Sequence, residues 1–260
     1  MIKFCNLFSG SSGNSTYIES NSTKILIDAG VSCQRITKAL ESIGVSFNDI
    51  SAILITHEHS DHTKGLTTIA KKFNTPIFAT SKTWTQMTSL NVLENCKNIF
   101  TPEENFEIGD LIIHPFSIPH DAIDPCGFSI LNGEKKITVA TDIGHIEEKL
   151  IAEMCGSDLL LIESNYDNDT LLCGAYPYFL KKRISSDIGH LSNEMTGKLV
   201  KTLYENGVNK FILGHLSKEN NFPELAYQTV LNELNSSNLD VPFHLSIAGR
   251  DTVDDILEIV

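Results

Sequence analysis

The segment that most constrains this chain is the run from His57 to His62, which reads His-Glu-His-Ser-Asp-His. It follows a short β-branched apolar run, Ile53 to Thr56, which predicts a buried strand. It precedes Thr63 to Phe73, where apolar residues recur at helical spacing. A polar segment between a strand and a helix indicates an α/β fold, in which ligands bind at the carboxyl ends of strands.

The composition of this segment is typical of a metal site, since neutral imidazole suits zinc, manganese or iron and aspartate adds negative charge. His57 and His59 are two residues apart on an extended segment and are expected to project to one side. Asp61 and His62 follow where the chain turns into the helix. One segment can thus supply two neighbouring metal ions, as in a binuclear hydrolase. The alternative interpretation is a solvated, histidine-rich turn.

Length and composition set broader bounds. The 260 residues contain no apolar run of 18, so no transmembrane helix is predicted. The first eight residues alternate and predict a strand, not a signal peptide. Six scattered cysteines favour free thiols and a cytoplasmic location, although an even number leaves disulfides open. The net charge of −13 argues against a general phosphate-backbone binder, but two bound dications would add four positive charges at the site.

Further candidate site residues follow other predicted strands. Asp28 ends a buried strand, where a carboxylate is costly unless it is hydrogen-bonded. His120 follows Pro119 in a stiffened loop, although a lone histidine is more often structural. Asp142 follows a strand at Lys136 to Ala140 and is interpreted either as a ligand or as the N-cap of the next helix. His215 follows a strand at Lys210 to Gly214.

Several polar groups could contact an anionic substrate. The loop Ser9 to Ser15 is either a flexible hairpin loop or a ring of N–H and hydroxyl donors, with Ser11, Ser12 and Asn14 as candidates. Ser192 predicts a helix start, which is an anion site, and His190 beside it could contact a phosphate or protonate a leaving oxygen. Residues predicted to line the rim are Glu163, Ser164, Asn165, Asp167, Ser217, Glu219, Asn220 and Asn221. The basic run Lys181 to Arg183 is either part of this surface or a solvated helix end.

The motif His-x-His-x-Asp-His after an apolar strand resembles the signature of the metallo-β-lactamase superfamily. The resemblance implies an α/β fold, the four-layer αβ/βα metallo-β-lactamase sandwich, as one hydrolase domain over residues 1–260. The order of motifs along the whole chain is similar to the WalJ/YycJ group of that superfamily. That similarity implies a metal-dependent nuclease that degrades DNA from the 5′ end. Tyr166 departs from the group, in which a histidine is expected.

The resemblance also implies roles. Two divalent metal ions are expected, zinc or manganese, with magnesium or iron as alternatives. The first would take His57, His59 and His120, the second Asp61, His62 and His215, and Asp142 would bridge them. A metal-bridging hydroxide would attack phosphorus, with Asp61 orienting it and His190 serving the leaving oxygen. Asp28 would support the His-rich segment without binding metal.

Three alternatives stay open at this point. The first is a metallohydrolase of thioesters, lactones or other small substrates, although no added helical substrate domain is evident. The second is an oxygen-reducing di-iron protein, although that branch has Glu where this chain has His59. The third is a nucleic-acid-binding or signalling scaffold. The residues leave undetermined the metal, the choice of DNA or RNA, the polarity and the oligomeric state.

Overall fold

The computed structural model describes residues 1–236 and 241–260. These residues form two compact units. Unit 1 comprises Met1–Ser117, Ala122–Lys135 and Gly249–Val260, and unit 2 comprises Ile118–Asp121 and Lys136–Ala248. The assignment of residues 1–260 to one domain stays a prediction. Within the described ranges, none of the helices is both long and apolar enough to span a bilayer.

Unit 1 is built on a seven-stranded sheet in the order β14-β1-β2-β3-β4-β5-β6. Its strands are β1 (Ile2–Phe8), β2 (Ser15–Glu19), β3 (Lys24–Ile27), β4 (Ala52–Leu54), β5 (Ile77–Thr80), β6 (Lys97–Phe100) and β14 (Leu257–Ile259). Pairing is antiparallel from β14 to β3 and parallel from β3 to β6. The parallel strands therefore end at one edge, where β3 and β4 deliver neighbouring residues.

The remaining elements of unit 1 are an antiparallel meander and four helices. The meander is β7 (Phe106–Ile108), β8 (Leu111–Ser117) and β9 (Cys126–Asn132). The helices are α1 (Cys33–Ser42), α2 (Ser60–Thr63), α3 (Leu66–Phe73) and α4 (Ser81–Gln86). Single 3₁₀ turns lie at Phe47–Asp49, Met87–Ser89 and Glu94–Cys96. The helix predicted from Thr63 is thus two helices, because the Gly65 N–H donates to the Ala29 carbonyl at 2.8 Å and not to a carbonyl of α2.

The described residues of unit 2 form a four-stranded parallel sheet in the order β13-β12-β11-β10 and five helices. Its strands are β10 (Lys135–Ala140), β11 (Leu159–Glu163), β12 (Lys210–Gly214) and β13 (His244–Ile247). Its helices are α5 (Glu148–Met154), α6 (Asn168–Cys173), α7 (Tyr178–Ile184), α8 (Asn193–Glu205) and α9 (Pro223–Asn235). Every residue of β11 is buried, as expected of a parallel strand in a sheet covered on both faces.

Three candidate site residues adopt a left-handed backbone at or just after a strand end. These are Asp28 after β3 (φ 64°), Asp142 after β10 (φ 63°) and His215 after β12 (φ 53°). A residue other than glycine held in this region costs about 1–3 kcal/mol, and such residues cluster at functional sites. The N-cap interpretation of Asp142 is wrong, because α5 begins at Glu148 with Glu147 in the cap position.

Candidate metal centre

The His-rich segment of unit 1 brings its three imidazoles together directly after β4. The His57 Nε2 and His59 Nδ1 atoms lie 3.1 Å apart, and the His57 and His62 ring centroids are 4.1 Å apart. His57 and His62 are buried, whereas His59 and Asp61 are partly exposed. The convergence follows from local structure, since His59 immediately precedes α2 and that short helix carries Asp61 and His62.

Asp28 holds this segment from the neighbouring parallel strand. Its carboxylate accepts hydrogen bonds from the Thr56 backbone N–H at 2.9 Å and the Thr56 hydroxyl at 2.9 Å. It also accepts from His62 Nδ1 at 2.7 Å. The expected supporting contact of Asp28 is therefore confirmed. Because Nδ1 carries the proton in this bond, Nε2 is the lone-pair nitrogen of His62. A carboxylate that accepts the ring N–H in this way fixes the ring orientation of a metal-binding imidazole and raises its basicity.

The loop Ser9 to Ser15 packs against the same segment. The Asn14 N–H donates to the Asp61 carbonyl at 2.8 Å, and the Asn14 side chain accepts from the Gly10 N–H and lies 3.1 Å from His62 Nε2. Asn14 is buried, whereas Ser11 and Ser12 are exposed on a turn. The predicted substrate contacts of Ser11, Ser12 and Asn14 stay predictions, and the observed bonds give Asn14 a role in holding the His-rich segment.

Gly30 shows how closely these loops pack. A Cβ on Gly30 would lie 1.6 Å from the Asp61 carbonyl oxygen, and the Gly30 N–H donates to the Asn14 carbonyl at 2.8 Å. Only a residue without a side chain fits between these two backbones. The position of Asp61 thus depends on a glycine 31 residues earlier in the chain.

In unit 2, three predicted site residues meet around the Asp142 carboxylate. Its Oδ1 atom lies 3.4 Å from His215 Nδ1, 3.7 Å from His120 Nε2 and 3.8 Å from His190 Nδ1. His120 Nδ1 donates to the Gly189 carbonyl at 3.0 Å, which leaves Nε2 as its lone-pair nitrogen. Burial lowers the pKa of His120, while the neighbouring Asp142 opposes the shift. A neutral imidazole is the form that binds metal.

Glu163 is the central acceptor of this cluster. Its Oε1 atom accepts from His190 Nδ1 and His215 Nδ1, both at 2.8 Å. Its Oε2 atom accepts from the backbone N–H groups of Ile143 at 2.9 Å and Leu191 at 3.0 Å. Burial raises the pKa of this carboxyl, but His190 and His215 outweigh burial and lower it to about 2.

The predicted location of Glu163 on the rim is wrong, because the side chain is fully buried. The sequence signal that could have located Glu163 is the one that located Asp28, namely a carboxylate at the end of an apolar strand. Asp142, Glu163, His190 and His215 form a group whose ligand atoms all lie within 4.8 Å of one another. Glu163 therefore positions the two imidazoles in the way that Asp28 positions His62.

The start of α8 is the predicted anion site. The N–H groups of Leu191, Asn193 and Met195 donate to Glu163, to the Tyr166 carbonyl and to the Ser192 hydroxyl. These three donors are occupied by protein oxygens and are not available to an anion, so anion binding at this helix start stays a prediction. Ser192 is the N-cap, as predicted. The His190 side chain is 17% exposed and reaches solvent beside this helix start.

The other predicted substrate contacts are buried and bonded within unit 2. The Asn165 side chain donates to the His215 carbonyl at 2.8 Å, and the Asn165 carbonyl accepts from the Ser217 N–H at 2.8 Å. The Ser217 hydroxyl accepts from the Asn220 N–H at 3.2 Å. These bonds hold the loop that carries His215. Substrate contacts of Asn165, Ser217 and Asn220 stay predictions.

Tyr166, the departure noted in the sequence, packs with Leu171 and Ile184 in a small apolar cluster. Burial, followed by the charges of Glu163 and Glu194, raises the pKa of its phenol to about 12. Its backbone pairs with Ser192, so Tyr166 supports the segment that precedes α8.

The donor sets of both units fit divalent metal ions. Buried imidazole nitrogens and carboxylate oxygens are the ligands of zinc, manganese and non-haem iron. Each unit also contains a carboxylate, Asp28 or Glu163, that accepts the ring N–H of a candidate ligand, His62 or His215. Such outer carboxylates are characteristic of metal-binding histidines.

Comparison with known proteins agrees with this chemistry. The sequence profile of the β-lactamase superfamily domain matches residues 23–216. The chain belongs to the metallo-β-lactamase superfamily. The exodeoxyribonuclease WalJ of Streptococcus pneumoniae serotype 2 (strain D39 / NCTC 7466) is 39% identical over 263 residues, covering 99% of this chain and 98% of that protein. The exodeoxyribonuclease YycJ of Bacillus anthracis is 35% identical over 252 residues, covering 96% of each chain.

Solved structures support the same fold. The crystal structure of the metallo-β-lactamase fold protein YhfI from Bacillus subtilis superimposes with a TM-score of 0.72 at 16% identity, covering 98% of this chain and 100% of that one. The predicted superfamily, its WalJ/YycJ branch and the α/β metallo-β-lactamase fold are therefore confirmed. As a member of this superfamily with nuclease relatives, the chain is a metal-dependent hydrolase.

Proposed function

We propose that this protein is a binuclear metal-dependent phosphodiesterase that degrades DNA from the 5′ end. The observation that carries the proposal is the Asp142 carboxylate, which lies within 3.4–3.8 Å of ring nitrogens of His120, His190 and His215. Asp142 and His215 themselves follow the parallel strands β10 and β12. The two exodeoxyribonuclease relatives, which align over nearly the whole chain, support DNA as the substrate.

The proposed ligands are the seven residues identified from sequence: His57, His59, Asp61, His62, His120, Asp142 and His215. Divalent ions at these residues would activate water and neutralise charge on the phosphate oxygens. The chain itself orients the ligands. Asp28 sets the ring orientation of His62, and Glu163 sets that of His215, so each imidazole offers the same nitrogen in every turnover.

His190 is proposed to transfer a proton to the departing 3′ oxygen. Its Nδ1 atom donates to Glu163 at 2.8 Å, so the proton that can move is carried on Nε2. The side chain is partly exposed, whereas His215 on the same carboxylate is buried. This difference in access favours His190 for contact with substrate and His215 for contact with metal. Asp61 is proposed to orient the nucleophile.

The test uses linear DNA carrying a label at either end. With manganese or zinc supplied, a 5′ label should be released at once as mononucleotide, while a 3′ label should stay on fragments that shorten with time. The matched RNA strand and a closed single-stranded circle complete the substrate series. Release of the 3′ label first would contradict degradation from the 5′ end. Rapid cleavage of the circle would show that the protein needs no free end.

The same preparation separates the remaining alternatives. A thioester or lactone hydrolase would cleave those substrates and leave every strand intact. A nucleic-acid-binding scaffold would bind strands but cleave none of these substrates, whichever metal ion is supplied. A cytoplasmic location and the metal identity stay predictions, and the number of bound ions is measured by elemental analysis.

A further inference from the structure

One face of unit 2 combines exposed aromatic and basic side chains. Leu172 on α6 and Tyr178 and Phe179 on α7 are 72%, 72% and 74% exposed. In the described part of the chain, the only other large apolar side chain above 70% is that of the last residue, Val260. Lys181 and Lys182 follow one turn later on α7. We call Leu172, Tyr178, Phe179, Lys181 and Lys182 the α7 platform.

The platform borders a cavity of about 290 Å³ on the surface of unit 2. The Lys182 ammonium lies 5.2 Å from the Tyr178 ring centroid, and the Lys181 ammonium donates to the Leu172 carbonyl at 2.6 Å. Both lysines are thus held beside the apolar side chains. Asp169 also lines the cavity, so the two lysines leave an excess of one positive charge there.

Charge selects the kind of partner for this surface. The chain carries a net charge of −13, yet Lys181, Lys182 and Arg183 are consecutive. An apolar partner would not need the lysines, and an acidic protein surface would not need two exposed aromatic rings. Single-stranded nucleic acid presents both a polyanion and flat bases that stack on aromatic side chains.

The end of α7 is joined to the candidate metal centre within unit 2. Arg183 forms an ion pair with Asp121, the residue after His120. The Ile184 carbonyl accepts from the His190 N–H at 2.9 Å, and the His120 ring bonds to the Gly189 carbonyl. A strand lying along α7 would therefore reach the segment that carries His190.

We propose that the α7 platform binds single-stranded DNA, with bases stacked on Tyr178 and Phe179 and phosphates on Lys181 and Lys182. This inference rests on the proposed nuclease function and extends it with a second contact region beside the reacting centre. The platform holds the strand, and the metal centre cleaves it.

The test measures binding and catalysis separately on the metal-loaded protein. The binding probe is a 3′-fluorescein oligothymidylate with phosphorothioate linkages, followed by anisotropy. Tyr178→Ser with Phe179→Ser should weaken its binding about tenfold or more, since each stacked base contributes on the order of one such factor. Lys181→Gln with Lys182→Gln should reduce the slope of log affinity against log salt by about 1.4, or about 0.7 for each phosphate contact.

The matched control is Phe222→Ser with Lys198→Gln, an exposed aromatic and an exposed lysine elsewhere on unit 2. It should bind like the wild type. All variants should hydrolyse bis(p-nitrophenyl) phosphate at the wild-type rate, because this small diester does not reach α7. Circular dichroism and thermal unfolding verify that each variant is folded.

The proposal that the α7 platform binds DNA would be contradicted if both platform variants kept the wild-type oligonucleotide affinity, or if the wild type bound no strand. If affinity is unchanged but self-association is lost on sedimentation, the platform is wrong and the face belongs to a second copy of the chain. If the wild type binds the strand through α7 yet degrades no unmodified DNA, the platform stands and the proposed nuclease function fails.

Discussion

Glu163 offers the sharpest test of how this site is organised. Replacing Glu163 by Gln keeps the size of the side chain but exchanges one acceptor oxygen for an NH₂ group. The two carboxylate oxygens each receive two donors, the rings of His190 and His215 on one and the N–H groups of Ile143 and Leu191 on the other. Whichever way the amide turns, two buried donors lose their acceptor.

The size of the effect follows from that count. A buried donor without its acceptor costs about 1–3 kcal/mol, so two cost about 2–6 kcal/mol, a large part of a total stability of about 5–15 kcal/mol. If the rings change tautomer instead, the metal loses a ligand nitrogen, and losing such an outer carboxylate weakens metal binding about 10–100-fold. Either route should be visible, one in unfolding and the other in metal affinity.

The assays are urea unfolding of the metal-free protein and metal titration of the folded protein, with Glu205→Gln on the exposed end of α8 as control. The acid dependence gives a further check. The pKa of Glu163 is lowered from 4.5 to about 2 in the folded protein. The contribution of the ionised carboxylate to the free energy of unfolding is therefore complete above pH 4.5 and is lost as the pH falls toward 2. The stability gap between wild type and Glu163→Gln should narrow over that range. A variant with unchanged unfolding midpoint and unchanged metal affinity would refute the role of Glu163.

Three further predictions concern the metals, the loop packing and the strand end. Metal-saturated protein should contain two equivalents by elemental analysis, and Asp142→Ala should lose hydrolysis while staying folded; a stoichiometry below one excludes a binuclear site. Gly30→Ala should destabilise unit 1 by about 1–3 kcal/mol and impair activity, because its Cβ would meet the Asp61 carbonyl; wild-type unfolding and turnover would show that the loops can move apart. A 5′-phosphorylated strand should be degraded faster than a 5′-hydroxyl strand, and Ser12→Ala with His190→Ala should remove that preference with both metals bound; a preference that survives would place the phosphate elsewhere.

Much of the site could be predicted because its signals are local. The His-rich segment, Asp142 and His215 each follow an apolar strand within a few residues, and periodicity identifies such strands from neighbouring residues alone. The parallel pairing of β3 with β4, and of β10, β11 and β12, then brings residues from separate strand ends to one edge of each sheet. Residue type and position at a strand end were sufficient to select these candidates.

Hydrogen-bond partners could not be predicted in this way. Glu163 was expected on a rim, and the start of α8 was expected to bind an anion, although three of its N–H groups donate to protein oxygens. The structure joins Glu163 to His190 and His215, which lie 27 and 52 residues away, and to the Leu191 N–H, 28 residues away. No local pattern specifies which distant donor a buried carboxylate will meet.

The sequence by itself determined the superfamily, the candidate ligands and the strand ends that carry them, because these depend on residue chemistry and short-range periodicity. Only the tertiary structure decided which polar groups are consumed in building the site. It assigned Asn14 and Asn165 to holding loops, and Glu163 to orienting two imidazoles. The reason is that a buried polar group must find partners wherever the fold places them, and those partners come from strands and loops far apart in the chain.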